Sequence, residues 1–61
     1  MMMQDKYGDH IKIYSTESKR SIFVDCFFED EPGKLQFRAV LGRREAMELI
    51  DKLKSALKEI E

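Results

Sequence analysis

The chain has 61 residues, a net charge of −1 and 38% charged residues, a composition typical of one small globular domain with a solvated surface. A domain of this size buries only about 60% of the surface of its unfolded chain, so it usually depends on disulfides, a metal or oligomerisation. Cys26 is the single cysteine and His10 the single histidine, which excludes an intrachain disulfide and argues against a closed zinc site. No cofactor or metal is predicted, and stability is expected to come from self-association or from an unusually efficient monomeric core.

The composition also bears on the partners and the compartment. Nucleic-acid-binding proteins are as a rule clearly basic, which this chain is not. No apolar run approaches the roughly 20 residues of a membrane helix, and the first residues lack the apolar run of a secretory signal. We therefore expect a cytoplasmic protein with no membrane partner, in a reducing environment where Cys26 is a small buried hydrophobe.

The hydrophobic pattern predicts three strands followed by one helix. Residues 1–8 show no clear period and are expected to form a flexible N-terminal arm. Residues 9–61 are expected to form a single α+β domain, a three-stranded antiparallel β-meander with one C-terminal amphipathic α-helix packed on one face (β-β-β-α). The predicted strands are residues 10–16, 21–29 and 35–41, and the predicted helix begins at residue 43.

Strand alternation predicts which side chains share a face of the sheet. Hairpins that close at Glu17–Arg20 and at Pro32–Gly33 would pair Val24 with Ile13 on one side and with Leu41 on the other. This register defines an apolar face, expected beneath the helix, that consists of Ile11, Ile13, Ile22, Val24, Cys26, Phe28, Leu35, Phe37, Ala39 and Leu41.

The opposite surface, called the outer face below, carries apolar side chains that a single helix cannot cover, because strand two also points Phe23 and Phe27 at it. The predicted register gives this face three rows: His10, Phe27 and Arg38; Lys12, Asp25 and Val40; and Tyr14 with Phe23. Exposed aromatic, aliphatic and arginine side chains are typical of interfaces, although such side chains can also cover one another and stay half wet. The predicted interface residues are Tyr14, Phe23, Phe27, Arg38 and Val40.

These features predict a non-enzymatic protein-interaction module that is a homodimer and binds and regulates or inhibits a larger protein. Phage and mobile-element inhibitors include many very small proteins of this kind, which is an analogy only. The dimer could form face to face through the outer face or edge to edge between strands. An enzyme is not expected, since the chain has no second histidine, activated nucleophile or Gly-rich phosphate loop.

Arg43 and Arg44 stand at the predicted start of the helix, where acidic residues are normally preferred. Their simplest interpretation is surface charge that the fold tolerates. The alternative is a candidate anion-binding corner, in which guanidinium groups and free helix N–H groups hold a phosphate or carboxylate.

The order of elements from Phe23 to Leu57 is an alternating strand, a Gly-containing turn, a further strand and a helix. This layout resembles the PC4-type coactivators, small dimers that bind single-stranded DNA. The chain departs from them in having one predicted strand fewer, no strongly basic β-ridge and a near-neutral charge. The resemblance makes single-stranded nucleic-acid binding the alternative function. It would be carried by the outer face together with Arg43 and Arg44, and the basic and aromatic residues of that face are Lys12, Tyr14, Phe23, Phe27 and Arg38.

Overall fold

Four strands form one antiparallel sheet, and a helix follows the last strand. The computed structural model describes residues 1–60 and contains β1 (Met2–Gln4), β2 (His10–Ser15), β3 (Ile22–Phe27), β4 (Leu35–Leu41) and α1 (Arg43–Leu57). The sheet order is β1-β2-β3-β4, so each strand pairs with the next one along the chain. The α+β class with a C-terminal helix is confirmed, whereas the prediction of three strands is wrong.

The additional strand, β1, comes from the segment 1–8 that was expected to be a flexible arm. A turn returns the chain to β2, and the Asp5 carboxylate holds it by accepting hydrogen bonds from the backbone N–H groups of Tyr7 (2.9 Å) and Asp9 (3.0 Å). Gly8 adopts a φ of 94° in this turn, a conformation that glycine reaches without steric cost. Three residues are too few to show an alternating pattern, so the hydrophobic pattern did not predict β1.

The register between β2 and β3 is the predicted one, with Ile13 opposite Val24 and Tyr14 opposite Phe23. The connecting turn contains Lys19 at a φ of 60°. The β2 and β3 residues of all three rows of the outer face therefore pair as predicted.

The register between β3 and β4 differs from the prediction by two residues. Val24 pairs with Ala39 instead of Leu41, and Asp25 pairs with Arg38. From Ile22 to Cys26 the shift is an even number of residues, so these side chains and their β4 partners keep their predicted faces of the sheet. Beyond Cys26 the ladder is irregular, and Phe27 pairs with Leu35.

The shift arises from the connection between β3 and β4, which is wider than a tight hairpin. The predicted turn at Pro32–Gly33 does form, since the Lys34 N–H donates to the Glu31 carbonyl at 2.9 Å. Strand pairing nevertheless begins only at Phe27 and Leu35, next to an irregularity in the ladder. The chain thus closes a longer loop than the sequence suggested.

The helix does not lie on the sheet, which corrects the prediction that it packs on one face. Its contacts with the sheet are concentrated on β4, and no residue of α1 is buried. Gly42 is the whole connection between β4 and α1 and has an extended backbone. Connections between strands and helices usually have 2–6 residues, so a single extended residue leaves too little chain for the helix to turn back over its own sheet.

The molecule consequently has no apolar core within residues 1–60, where the only buried side chain is Asp25. Its radius of gyration is 12.9 Å, compared with about 10.5 Å for a compact domain of this length. The accessible surface is 5459 Å², whereas a compact monomer of 7.2 kDa exposes roughly 4,100 Å². One copy therefore exposes surface that folded proteins normally bury.

Candidate functional site

Asp25 lies at the centre of the outer face and is 1% exposed. Its carboxylate accepts two hydrogen bonds from Arg38, from Nε to Oδ1 at 2.7 Å and from Nη2 to Oδ2 at 3.1 Å. The Tyr14 hydroxyl donates a third hydrogen bond to Oδ2 at 2.9 Å. The bidentate pairing satisfies a buried charge and fixes the planar guanidinium in one orientation.

The Arg38 guanidinium also packs on an aromatic ring. Its Cζ lies 4.4 Å from the centroid of the Phe23 ring, within cation–π range. Phe23 in turn meets Tyr14 in an edge-to-face arrangement with centroids 5.6 Å apart, a favourable geometry for aromatic pairs. Arginine, tyrosine and phenylalanine thus form a rigid cluster around the buried carboxylate.

The charges in this cluster shift one another's ionisation. Hydrogen bonding from Arg38 is the main cause that lowers the pKa of Asp25, against an opposing effect of burial. The hydrogen bond to Asp25 raises the pKa of Tyr14 and that of Arg38. At neutral pH the carboxylate is therefore ionised and fully engaged, which suits a structural anchor and not a proton-transfer group.

The outer face brings together four of the five predicted interface residues: Tyr14, Phe23, Arg38 and Val40. Val40 pairs with Phe23 and is exposed. Phe27 lies further along β3, opposite His10 as predicted, but Arg38 is not its neighbour because of the register shift. The five residues remain candidate interface residues.

Sequence reasoning placed Asp25 in one row with Lys12 and missed the Asp25–Arg38 ion pair. Lys12 does stand opposite Asp25 on β2, but its ammonium lies 5.1 Å from the centroid of the Tyr14 ring. An acidic residue in the middle of an apolar strand was the available signal, because such a residue requires a strong partner when buried. Whether Lys12 or Arg38 pairs with Asp25 depends on the β3–β4 register, which the sequence did not determine.

The apolar face is a second candidate surface, and it is uncovered. The register places Met3 of β1 beside the predicted residues of this face, opposite Ile11. The helix adds an apolar stripe of its own: Ile50, Leu53 and Leu57 are 53%, 59% and 67% exposed. Burial raises the pKa of the Cys26 thiol, so the thiol is protonated at neutral pH, in line with a role in packing.

Arg43 and Arg44 begin α1, and both are exposed. Arg43 lines a shallow cleft together with Lys19 and Arg20 from the β2–β3 turn, a proximity that the sequence could not establish. Glu45 accepts a hydrogen bond from the Gly42 N–H at 3.0 Å and so supplies negative charge to this helix end. Anion binding at Arg43 and Arg44 stays a prediction.

Within residues 1–60, no three histidine, cysteine or carboxylate side chains are placed so that they could share a metal ion. None of the described helices combines the length and the apolar composition that a membrane crossing needs.

Comparison with known proteins adds no family. No family model matches the chain, and neither a curated protein nor a solved structure matches it.

Proposed function

We propose that the protein is a non-enzymatic interaction module that acts in the cytoplasm as a homodimer and uses its outer face to bind and regulate or inhibit a larger protein. The observation that supports the dimer is the absence of any buried apolar side chain within residues 1–60. Dimerisation through the apolar face, instead of the outer face or a strand edge as the sequence suggested, leaves the outer face free for another protein.

The surface area gives the size of the dimer contact. A single copy exposes 5459 Å², roughly 1,300 Å² more than a compact monomer of its mass. Burying that excess on each of two copies gives an interface of about 2,600 Å², which is in the range of obligate homodimers. An apolar interface of this size resembles a domain core divided between two chains.

The outer face supports the second half of the proposal. Its aromatic and arginine side chains are held in place before any partner arrives, because Arg38 is fixed by Asp25 and stacked on Phe23. Preorganised aromatic and arginine side chains lose little conformational entropy on binding and are frequent at the centres of protein interfaces. Arg38 remains 39% exposed at its side chain, so a partner can reach it.

Changing Phe23 and Phe27 to aspartate together should separate dimerisation from binding of the partner protein. We expect the double variant to remain a dimer by light scattering, because neither residue lies on the apolar face. In a pull-down we expect the wild type to retain a partner protein and the double variant to lose it. Tyr7→Asp is the matched control: this aromatic is 78% exposed and outside the outer face, so the variant should retain the partner.

Two outcomes of this experiment would contradict the proposal. A wild-type protein that is monomeric at high micromolar concentration rules out the homodimer. A double variant that keeps its fold by circular dichroism and still retains the partner shows that the outer face is idle.

Single-stranded nucleic-acid binding is the second candidate function, and two observations favour it. The presence of β1 removes one departure from the PC4-type layout, which the three predicted strands had introduced. The cleft lined by Lys19, Arg20 and Arg43 gathers positive charge of the kind that tracks a phosphate backbone.

Titration with a fluorescent oligothymidylate tests this second function. If it is correct, affinity falls steeply between about 20 and 200 mM salt, since bound cations are released from the strand. Replacing Lys19, Arg20 and Arg43 with glutamine should weaken binding and flatten the salt dependence, whereas Lys54→Gln on α1 should change neither. Absence of binding at the lowest salt would eliminate it.

A further inference from the structure

We infer that the two copies of the proposed homodimer exchange their helices, so that α1 of each copy lies on the apolar face of the other copy's sheet. This inference rests on the proposed homodimer and specifies its interface. It follows from two uncovered apolar surfaces in each chain and from a connection that keeps them apart.

The connection supplies the first argument. Gly42 alone joins β4 to α1, and its backbone is extended. The helix therefore continues away from its own sheet, and its contacts with that sheet are concentrated on β4. An apolar stripe that cannot reach its own sheet can reach the sheet of a neighbouring copy.

The second argument is a comparison of the apolar surfaces that different dimer arrangements would cover. Packing the two sheets face to face would leave the stripes of Ile50, Leu53 and Leu57 in water, and packing the two helices together would leave both sheets uncovered. Exchange covers both surfaces with two chains and closes with two-fold symmetry. Of the three arrangements, exchange is the one that covers both apolar surfaces of each chain.

The dimensions agree with exchange. The 15 residues of α1 form a helix about 22 Å long at about 1.5 Å per residue. The 7 residues of β4 extend about 23 Å, and four strands about 4.8 Å apart make a surface wide enough for a helix about 10 Å across. One partner helix therefore fits along one apolar face.

Cys26, the single cysteine, lies on the apolar face and provides a direct test. Introducing one more cysteine on the helix stripe, as Ile50→Cys, Leu53→Cys or Leu57→Cys, should permit a disulfide between Cys26 of one copy and the new thiol of the other. Dissolved oxygen, with a copper catalyst, accepts the two electrons and two protons that leave the two thiols as the S–S bond forms. We expect at least one of the three variants to give a covalent dimer on a non-reducing gel, at protein concentrations where random collision gives none.

Two matched variants make the test specific. Ser55 lies on the opposite side of α1 from Leu53 and Leu57, so Ser55→Cys should give no covalent dimer. Adding Cys26→Ala to the reactive helix variant should abolish the crosslink, because the helix cysteines of an exchanged dimer face the sheets and not each other.

Several outcomes would overturn the exchange. A crosslink that persists without Cys26 indicates helix-on-helix packing, and a crosslink of the wild type through Cys26 alone indicates sheet-on-sheet packing. A crosslinked species that runs as a monomer shows that the helix folds back on its own sheet. Light scattering of the same samples distinguishes failure of the helix exchange from failure of the homodimer. A dimer without the expected crosslink rejects the exchange alone, whereas a monomer also rejects the proposed homodimer.

Discussion

Leu53→Asp is expected to abolish the folded dimer. Leu53 is 59% exposed in one copy and is buried against a second copy if the proposed dimer forms. Losing a buried leucine costs about 2–5 kcal/mol, and a carboxylate placed in an apolar contact adds a desolvation cost. Both copies carry the change, so the total loss is comparable with the roughly 5–15 kcal/mol of stability typical of a whole domain.

Circular dichroism measures the loss of folded structure in Leu53→Asp, and light scattering measures the loss of the dimer. Leu53→Ala is a milder change at the same position. The milder variant should still fold, but its unfolding midpoint in urea should fall and should depend more visibly on protein concentration, as mass action requires of a dimer. Ser55→Asp on the opposite side of the helix is the control and should cost less than about 1 kcal/mol. If Leu53→Asp is as stable as Ser55→Asp, the stripe is not an interface.

The contrast between the two hairpins shows how far the sequence determines this fold. Tyr14 stands opposite Phe23 as predicted, because the β2–β3 turn is short and an apolar strand tolerates no odd shift of register. Arg38 stands opposite Asp25, two residues from its predicted place. An even shift preserves both faces, so alternation cannot detect it, and loop length decides the register instead.

The helix shows a different limit of prediction from the sequence. Its amphipathic stripe correctly predicts that one side of α1 requires an apolar partner, but periodicity does not specify which chain supplies that partner. The length of the connection limits that choice, because Gly42 alone joins β4 to α1 and prevents the helix from turning back over its own sheet. The expectation that Phe23 and Phe27 would form the dimer contact came from assigning the helix to its own sheet.

Arg38→Met is expected to destabilise the protein more than Asp25→Asn, although the two changes break the same ion pair. Removing the guanidinium leaves the 1% exposed carboxylate of Asp25 with Tyr14 as its remaining donor, and an unpaired buried charge costs about 3–5 kcal/mol. Removing the carboxylate charge leaves Arg38, whose side chain is 39% exposed and can turn to water. Arg44→Met, at an exposed arginine on α1, is the control and should stay within about 0.5 kcal/mol of the wild type.

The pH dependence of the free energy of unfolding shows why Arg38→Met is destabilising. In the wild type Arg38 lowers the pKa of Asp25, so the stabilisation by this carboxylate is present above its unfolded pKa of about 3.9 and is lost as pH falls through the lower folded pKa. In Arg38→Met the unpaired buried carboxylate should have a raised pKa and become neutral on mild acidification, which removes the penalty. The gap in unfolding free energy between wild type and Arg38→Met, measured by urea denaturation, should therefore narrow as pH falls from 7 towards 4. A gap that stays constant with pH would mean that Arg38 stabilises the sheet through its packing on Phe23 and not through the charge of Asp25.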